Sequence, residues 1–229
     1  MENYDTKKEQ RKENSGEEID LDNHQQGVGA ISLNELPEGC IAEILSATTP
    51  ADVCRFSRLS STFRSAAASD SVWDSFLPSD YQTILSASCA HQADSSSLTF
   101  SSKKHLFFYL SHNPILVDEG KKSFSLDKRS GKISYMIAPR DLLIAWGDVP
   151  AYWVWISHPE FRFKEVAKLN HVWWLEIRGK ISTYKLSLHT NYAAYLVFKL
   201  RYAFGFDNHP VEVSLNTWSR LKFVQNLLF

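Results

Sequence analysis

Cysteine is scarce: the three thiols in 229 residues, Cys40, Cys54 and Cys89, are too few for a disulfide framework. Cys40 and Cys54 fall inside apolar helical patterns, where a reduced thiol acts as a small hydrophobe. A reducing compartment, cytosol or nucleus, is the expectation. Long hydrophobic runs are also missing, since the longest, such as Ala193 to Phe198, fall far short of the roughly 20 residues a membrane span needs. The chain opens MENYDTKKEQRKEN, without the apolar core of a secretory signal. Catalytic signatures are absent too. The nine glycines form no phosphate-cradling loop, the eight histidines are scattered, and there is neither Gly-x-Ser-x-Gly nor His-Glu-x-x-His. Cys89-Ala90-His91 lacks a second ligand pair for a metal. Asp118-Glu119, Asp141 and Asp148 read as turn and surface carboxylates. The expectation is a protein without catalytic residues, metal or cofactor.

What is present suffices for one or two packed domains: 44% of the residues are hydrophobic and 22% are charged. The net charge of -1 conceals a division along the chain. Residues 1–29 carry 4 basic and 8 acidic side chains, 30–102 carry 3 and 8, and 103–229 carry 18 and 10, giving -4, -5 and +8. Such asymmetry marks separate modules, although solvated surface lysines account for the positive one as well as a polyanion partner does. Residues 1–29 hold too few hydrophobic groups to offset the entropy of ordering, and are expected to be a disordered tail. Within it, Glu9 and Glu13 dilute the Lys7, Lys8, Arg11 and Lys12 cluster as a nuclear address.

From Ile31 to Leu77 apolar residues recur at helical spacing, in short segments with start signals between them. Leu36-Pro37 opens the first, with Asn34 as cap and Leu36, Cys40, Ile41, Ile44 and Leu45 in one stripe. Thr49-Pro50-Ala51-Asp52 supplies a cap, a first-turn proline and a carboxylate at the positive end of the helix dipole. Val53, Phe56 and Leu59 follow on one face. A third helix starts near Ser60, and Ser69 or Asp70 caps a last turn holding Val72, Trp73 and Phe76. So small a module needs a partner to complete its core. Residues 78–113 are expected to be a helical and serine-rich linker, ending in a helix that packs Leu106, Phe107 and Leu110.

After Pro114 the period becomes alternating. Strands are expected at 115–117, 123–126, 132–137, 142–146, 152–156, 172–178, 192–200 and 211–215, all antiparallel. Two sheets packed face to face would bury this set, so the fold class is α+β: small N-terminal helices followed by an antiparallel, jelly-roll-like β-sandwich. Trp146, Tyr152, Trp153, Trp155, Trp173 and Trp174 crowd this part. Trp153 and Trp155 share one strand face, while Trp173 and Trp174 must oppose each other. Core packing explains most of these rings; an exposed flat ring, by contrast, suits stacking against a pyranose.

The runs LPEGCIAEIL, TPADVCRFSRLSSTFRS and SDSVWDSFL resemble the F-box, the adaptor-binding module of Skp–cullin–F-box ubiquitin ligases. Leu36, Pro37, Ile41, Ile44, Val53, Leu59, Phe63 and Trp73 fall at its apolar positions, and the resemblance makes them adaptor-binding residues. Ser60-Ser61-Thr62-Phe63 stands where family members often carry Cys-Lys-Arg-Trp. The later runs KKSFSLDKRSGKISYMIAPRDLLIAWGDVPAYWVWIS and RFKEVAKLNHVWWLEIRGKISTYKLSLHTNYAAYLVFKL resemble phloem protein 2, the domain of Nictaba-type plant lectins. FLPSDY at 76–81 is typical of members that join the two modules. The resemblance implies binding of N-acetylglucosamine- or mannose-containing glycans through two tryptophans, which here are Trp146 and Trp153.

The implied domains are an F-box at 30–77, the linker at 78–113, an incomplete lectin domain at 114–215 and a divergent tail at 216–229, where NTWSRLKFVQNLLF suggests a truncated or alternative C-terminus. The expected function is substrate recognition in a ubiquitin ligase of cytoplasm and nucleus. Its partners would be a Skp-type adaptor, a cullin and a glycoprotein target, with no nucleic acid and no membrane span. The main alternative is an intracellular lectin acting without a ligase. A nucleic-acid binder using the +8 module would instead show steep salt dependence.

Overall fold

The computed structural model describes residues 33–89, 99–201, 211–216 and 222–227. The expected tail at 1–29 with its basic cluster, and most of the serine-rich stretch, lie outside the described residues.

Six α-helices come first: α1 (Glu38–Ser46), α2 (Pro50–Phe56), α3 (Ser61–Ala66), α4 (Asp70–Asp74), α5 (Tyr81–Cys89) and α6 (Lys103–His112). Their starts follow local chemistry. The Thr49 hydroxyl accepts the Asp52 amide at 3.2 Å and donates to the Asp52 carboxylate at 2.7 Å, so cap and first-turn carboxylate close on each other. Ser60 caps α3 by accepting the Phe63 amide, and Ser102 caps α6 by accepting that of His105. Helix α1 departs from expectation. Leu33–Glu35 form a separate 3-10 turn and Pro37 itself stands at the cap, with extended ψ and no side-chain cap bond.

These helices do not complete a core by themselves. Trp73, fully buried, lies 5.3 Å from Phe107 and 5.2 Å from Phe108, centroid to centroid, and its Nε1 donates to the Ala67 carbonyl at 2.8 Å. Leu106, Phe107 and Leu110 are buried as expected, which makes α6 a core element. The same cluster continues into a three-stranded antiparallel sheet ordered β1 (Ile115–Val117), β2 (Lys122–Leu126), β3 (Ile133–Ile137). Ile115, Val117, Phe124 and Leu126 from this sheet join Ile41, Leu45 and Val53 from the helices in one buried group.

The β2–β3 turn ties the two parts together. Asp127 accepts hydrogen bonds from the Arg129 and Ser130 amides and the Ser130 hydroxyl, and the Arg129 carbonyl accepts the Ala51 amide of α2 at 3.3 Å. Gly131 closes the turn at φ +73°, and a Cβ there would lie 3.2 Å from Pro50 Cγ. Glycine answers both the left-handed backbone and the close approach.

The remaining described strands form three two-stranded antiparallel sheets: β4 (Leu143–Ile144) with β7 (Ile177–Arg178), β5 (Trp153–Ile156) with β6 (Val166–Leu169), and β8 (Val211–Asn216) with β9 (Lys222–Leu227). The α+β class and the antiparallel arrangement are therefore present, in four small sheets rather than two large ones. Two expected strands contract or vanish. Of 172–178 only Ile177 and Arg178 join a ladder, and 192–200 joins none. Their apolar rows lack a facing strand: Trp173, Tyr195 and Val197 are almost fully exposed. Alternation records that a segment suits a pleat, and the ladder still needs a neighbour. Strand 142–146 ends early because Trp146 adopts φ +55°.

Candidate functional site

Two surfaces collect the residues singled out in the sequence. On the helical part, the eight apolar positions divide by burial. Ile41, Val53, Phe63 and Trp73 are buried in the module's own core, where they shape the helices. Leu36 is half-buried and Pro37 exposed. Ile44 is 47% and Leu59 64% exposed, and Leu33 and Phe56 join them as large apolar groups facing solvent. Heptad-like spacing could not separate Ile41 from Ile44, because a stripe wide enough to pack on one side leaves its margin open.

The second surface surrounds Trp146. Just beyond the β4–β7 ladder Ala145 donates its amide to the Glu176 carbonyl at 3.0 Å, which lays Trp146 alongside residues 174–176. At φ +55° a bulky aromatic sits in a region that normally favours glycine, a conformation that persists only when its surroundings impose it. Here two tryptophans impose it. Trp153 Nε1 donates to the Ala145 carbonyl at 3.1 Å and Trp155 Nε1 to the Gly147 carbonyl at 3.0 Å, so the carbonyls of the residues on either side of Trp146 are held from β5. Trp155 is itself covered by the Arg140 guanidinium, 3.7 Å from its ring centroid, and Arg140 pairs with Glu165 at 2.9 Å.

Trp146 is 42% exposed, whereas Trp153 is 5% exposed. The expected pair of stacking tryptophans is thus divided by burial: Trp146 is partly open to solvent, and Trp153 is a core ring whose Nε1 holds the neighbouring loop. Other rings flank Trp146 instead. Tyr152 lies 5.7 Å away and Trp174 6.0 Å away, with interplanar angles of 56° and 51°. His171 meets Tyr152 edge-on at 5.6 Å. Trp174 Nε1 donates to Glu176 Oε2 at 3.2 Å, and the same carboxylate group pairs with Arg178. The arrangement offers flat apolar faces beside a carboxylate, a guanidinium and an imidazole. Sequence reasoning missed Tyr152, Trp174 and Glu176 as a group because a ladder step across 33 positions of chain brings them together; the density of aromatic residues was the visible signal.

Among the described residues no group of three or more His, Cys, Asp or Glu side chains could hold a metal ion, and no helix is long and apolar enough to cross a membrane.

Comparison with known proteins identifies two families along the chain. Residues 33–75 match the F-box domain family and residues 132–226 match the phloem protein 2 family. The second match passes Leu215, where the divergent tail was expected to begin, and takes in much of the β8–β9 hairpin. The chain is therefore a two-module protein, an F-box joined to a phloem protein 2 domain. Among relatives from Arabidopsis thaliana, PP2-B12 is 47% identical over 185 residues, covering 80% of this chain and 70% of that protein. F-box protein PP2-B1 is 42% identical over 202 residues, 87% of this chain and 57% of the relative; for F-box protein PP2-B10 the figures are 44%, 80% and 64%. The chain belongs to the F-box proteins of the phloem protein 2-B group. It spans between about half and 70% of the length of the relatives it matches. No solved structure matches it.

Proposed function

We propose that this protein is the target-recognition subunit of a Skp–cullin–F-box ubiquitin ligase, with the helical surface docking a Skp-type adaptor and the Trp146 surface holding a glycan, on a glycoprotein, that contains N-acetylglucosamine or mannose. The observation that carries the reading is the pairing of an F-box match with exposed Ile44 and Leu59 over a fully buried core. Large apolar groups left in water at the margin of a packed module mark a binding surface. The protein acts in cytoplasm and nucleus and performs no chemistry itself. Two binding events on one chain raise the local concentration of target lysines near a charged ubiquitin carrier bound elsewhere in the assembly.

The test is co-purification of the full chain with a Skp-type adaptor and cullin. Replacing Ile44 and Leu59 together by alanine removes apolar contact worth about 2–4 kcal/mol at such an interface, which lowers adaptor recovery by well over tenfold. The fold is retained because both side chains are exposed. Adaptor recovery equal to that of the parent would exclude this docking surface. Glycan binding without any adaptor would favour a lectin acting outside a ligase.

A further inference from the structure

The geometry points to Trp174 as a second stacking surface, forming with Trp146 a bent platform that receives two neighbouring pyranose units of one oligosaccharide. This rests on the glycan-binding reading above and assigns to that site a residue and a subsite that the paired Trp146 and Trp153 did not include. Clamping a sugar ring between two indoles needs a van der Waals gap of about 3.5–4 Å on each side, hence about 7–8 Å between ring planes. The centroids of Trp146 and Trp174 are 6.0 Å apart and tilted by 51°, too close and too inclined for a clamp. They are instead adjacent faces of one surface, with a separation comparable to the length of a pyranose unit along a chain.

Exposure supports the same conclusion. Trp174 is 64% exposed although it touches Trp146, so the contact leaves most of the ring open to a ligand. Its orientation is fixed from one edge by the hydrogen bond to Glu176, which the Arg178 guanidinium holds in turn. A stacked sugar places its apolar C–H face on the ring and its hydroxyls at the periphery, where Glu176 accepts hydrogen bonds and Arg178 donates them. A single pyranose on Trp146 leaves Trp174 unused. A chain of two or more units covers both.

The experiment titrates the full chain, and its Trp146→Ala, Trp174→Ala and Trp174→Phe variants, with N-acetylglucosamine and with its β1,4-linked trimer, by calorimetry or ligand-observed NMR. Trp174→Ala is expected to weaken trimer binding about tenfold while changing monosaccharide binding less than about twofold. Trp174→Phe, which keeps a flat ring and loses the indole N–H, restores most of the trimer affinity. Trp146→Ala abolishes both. Equal loss for monomer and trimer in Trp174→Ala, or no loss for either, overturns the second subsite and leaves the glycan reading intact. A parent chain that binds neither sugar overturns the subsite together with that reading.

Discussion

Trp73 and Phe107 meet at 5.3 Å with both rings fully buried, so the last helix of the F-box segment and the helix beyond the serine-rich stretch share one interior. Neither family match covers residues 76–131, yet α5, α6, β1 and all of β2 fall there, and α6 fills the core from which Trp73 would otherwise protrude. Phe107→Ala is therefore expected to destabilise the helices and the β1–β3 sheet together, by about 3–5 kcal/mol. Urea unfolding followed by circular dichroism and by tryptophan emission should give coincident transitions; a helical transition that stays in place while the second moves would contradict a common core.

Trp153→Ala should act as a core deletion, costing about 3–5 kcal/mol, and should release the Ala145 carbonyl beside Trp146. Trp153→Phe fills most of the volume but lacks the indole N–H. It is expected to keep most of the stability while weakening whatever binding depends on Trp146. Thermal melts and the sugar titration, run on the same preparations, separate the two effects.

Gly131→Ala meets two obstacles at once, the positive φ and the 3.2 Å approach to Pro50 Cγ. A loss of at least about 1 kcal/mol is expected, seen as a lower denaturation midpoint. Gly39→Ala, with nothing near the new methyl group and a helical backbone, should be stabilising or neutral.

Lys185 and Lys122 donate to Asp118 and hold its carboxyl below the usual carboxylate range, and the Ser130 hydroxyl and turn amides do the same for Asp127. A carboxylate with a depressed folded-state pKa contributes stability that is complete above its unfolded value, near 3.9, and is lost as pH falls through the folded one. Denaturation midpoints should thus decline below about pH 4–5. The decline should flatten in Asp118→Asn, which starts from a lower stability at neutral pH. An unchanged acid limb in this variant would remove Asp118 from the account.

Burial pushes the Tyr135 phenol up to about 12. Its protonated form is favoured by folding, so that contribution is present below the unfolded pKa near 10 and fades as pH rises toward the folded value. Ultraviolet titration should show one phenol ionising well after the exposed tyrosines, and its replacement by phenylalanine should remove that late step.

Helices were largely legible because their signals are local. Thr49-Pro50-Ala51-Asp52 and Ser60 cap as their chemistry dictates, and Leu106, Phe107 and Leu110 turn inward at the expected spacing. The leucine-proline opening was also visible, but the cap expected at Asn34 stands three residues later, at Pro37, because Asn34 lies in the separate 3-10 turn Leu33–Glu35. Strand identity at 192–200 was misjudged because apolar alternation carries no information about a partner. Trp146 and Trp153 were singled out together through family resemblance. Their difference in burial was not legible, because two tryptophans differ in nothing that a sequence displays: which becomes an internal prop and which an exposed face depends on a carbonyl contributed by a different part of the chain.

A cluster that runs from Ile41 to Leu126 without interruption also fixes a length. Its helices and first sheet leave little room for a pivot between the exposed Ile44 and the turn at Gly131, and the Lys185–Asp118 and Ser187–Ile133 bonds fasten the following chain to the same sheet. Under the proposed function such a body would act as a ruler, presenting whatever one end grips to the other at a set distance and angle, so that the choice of lysine on a bound target would follow from where the target's own surface falls on that scale.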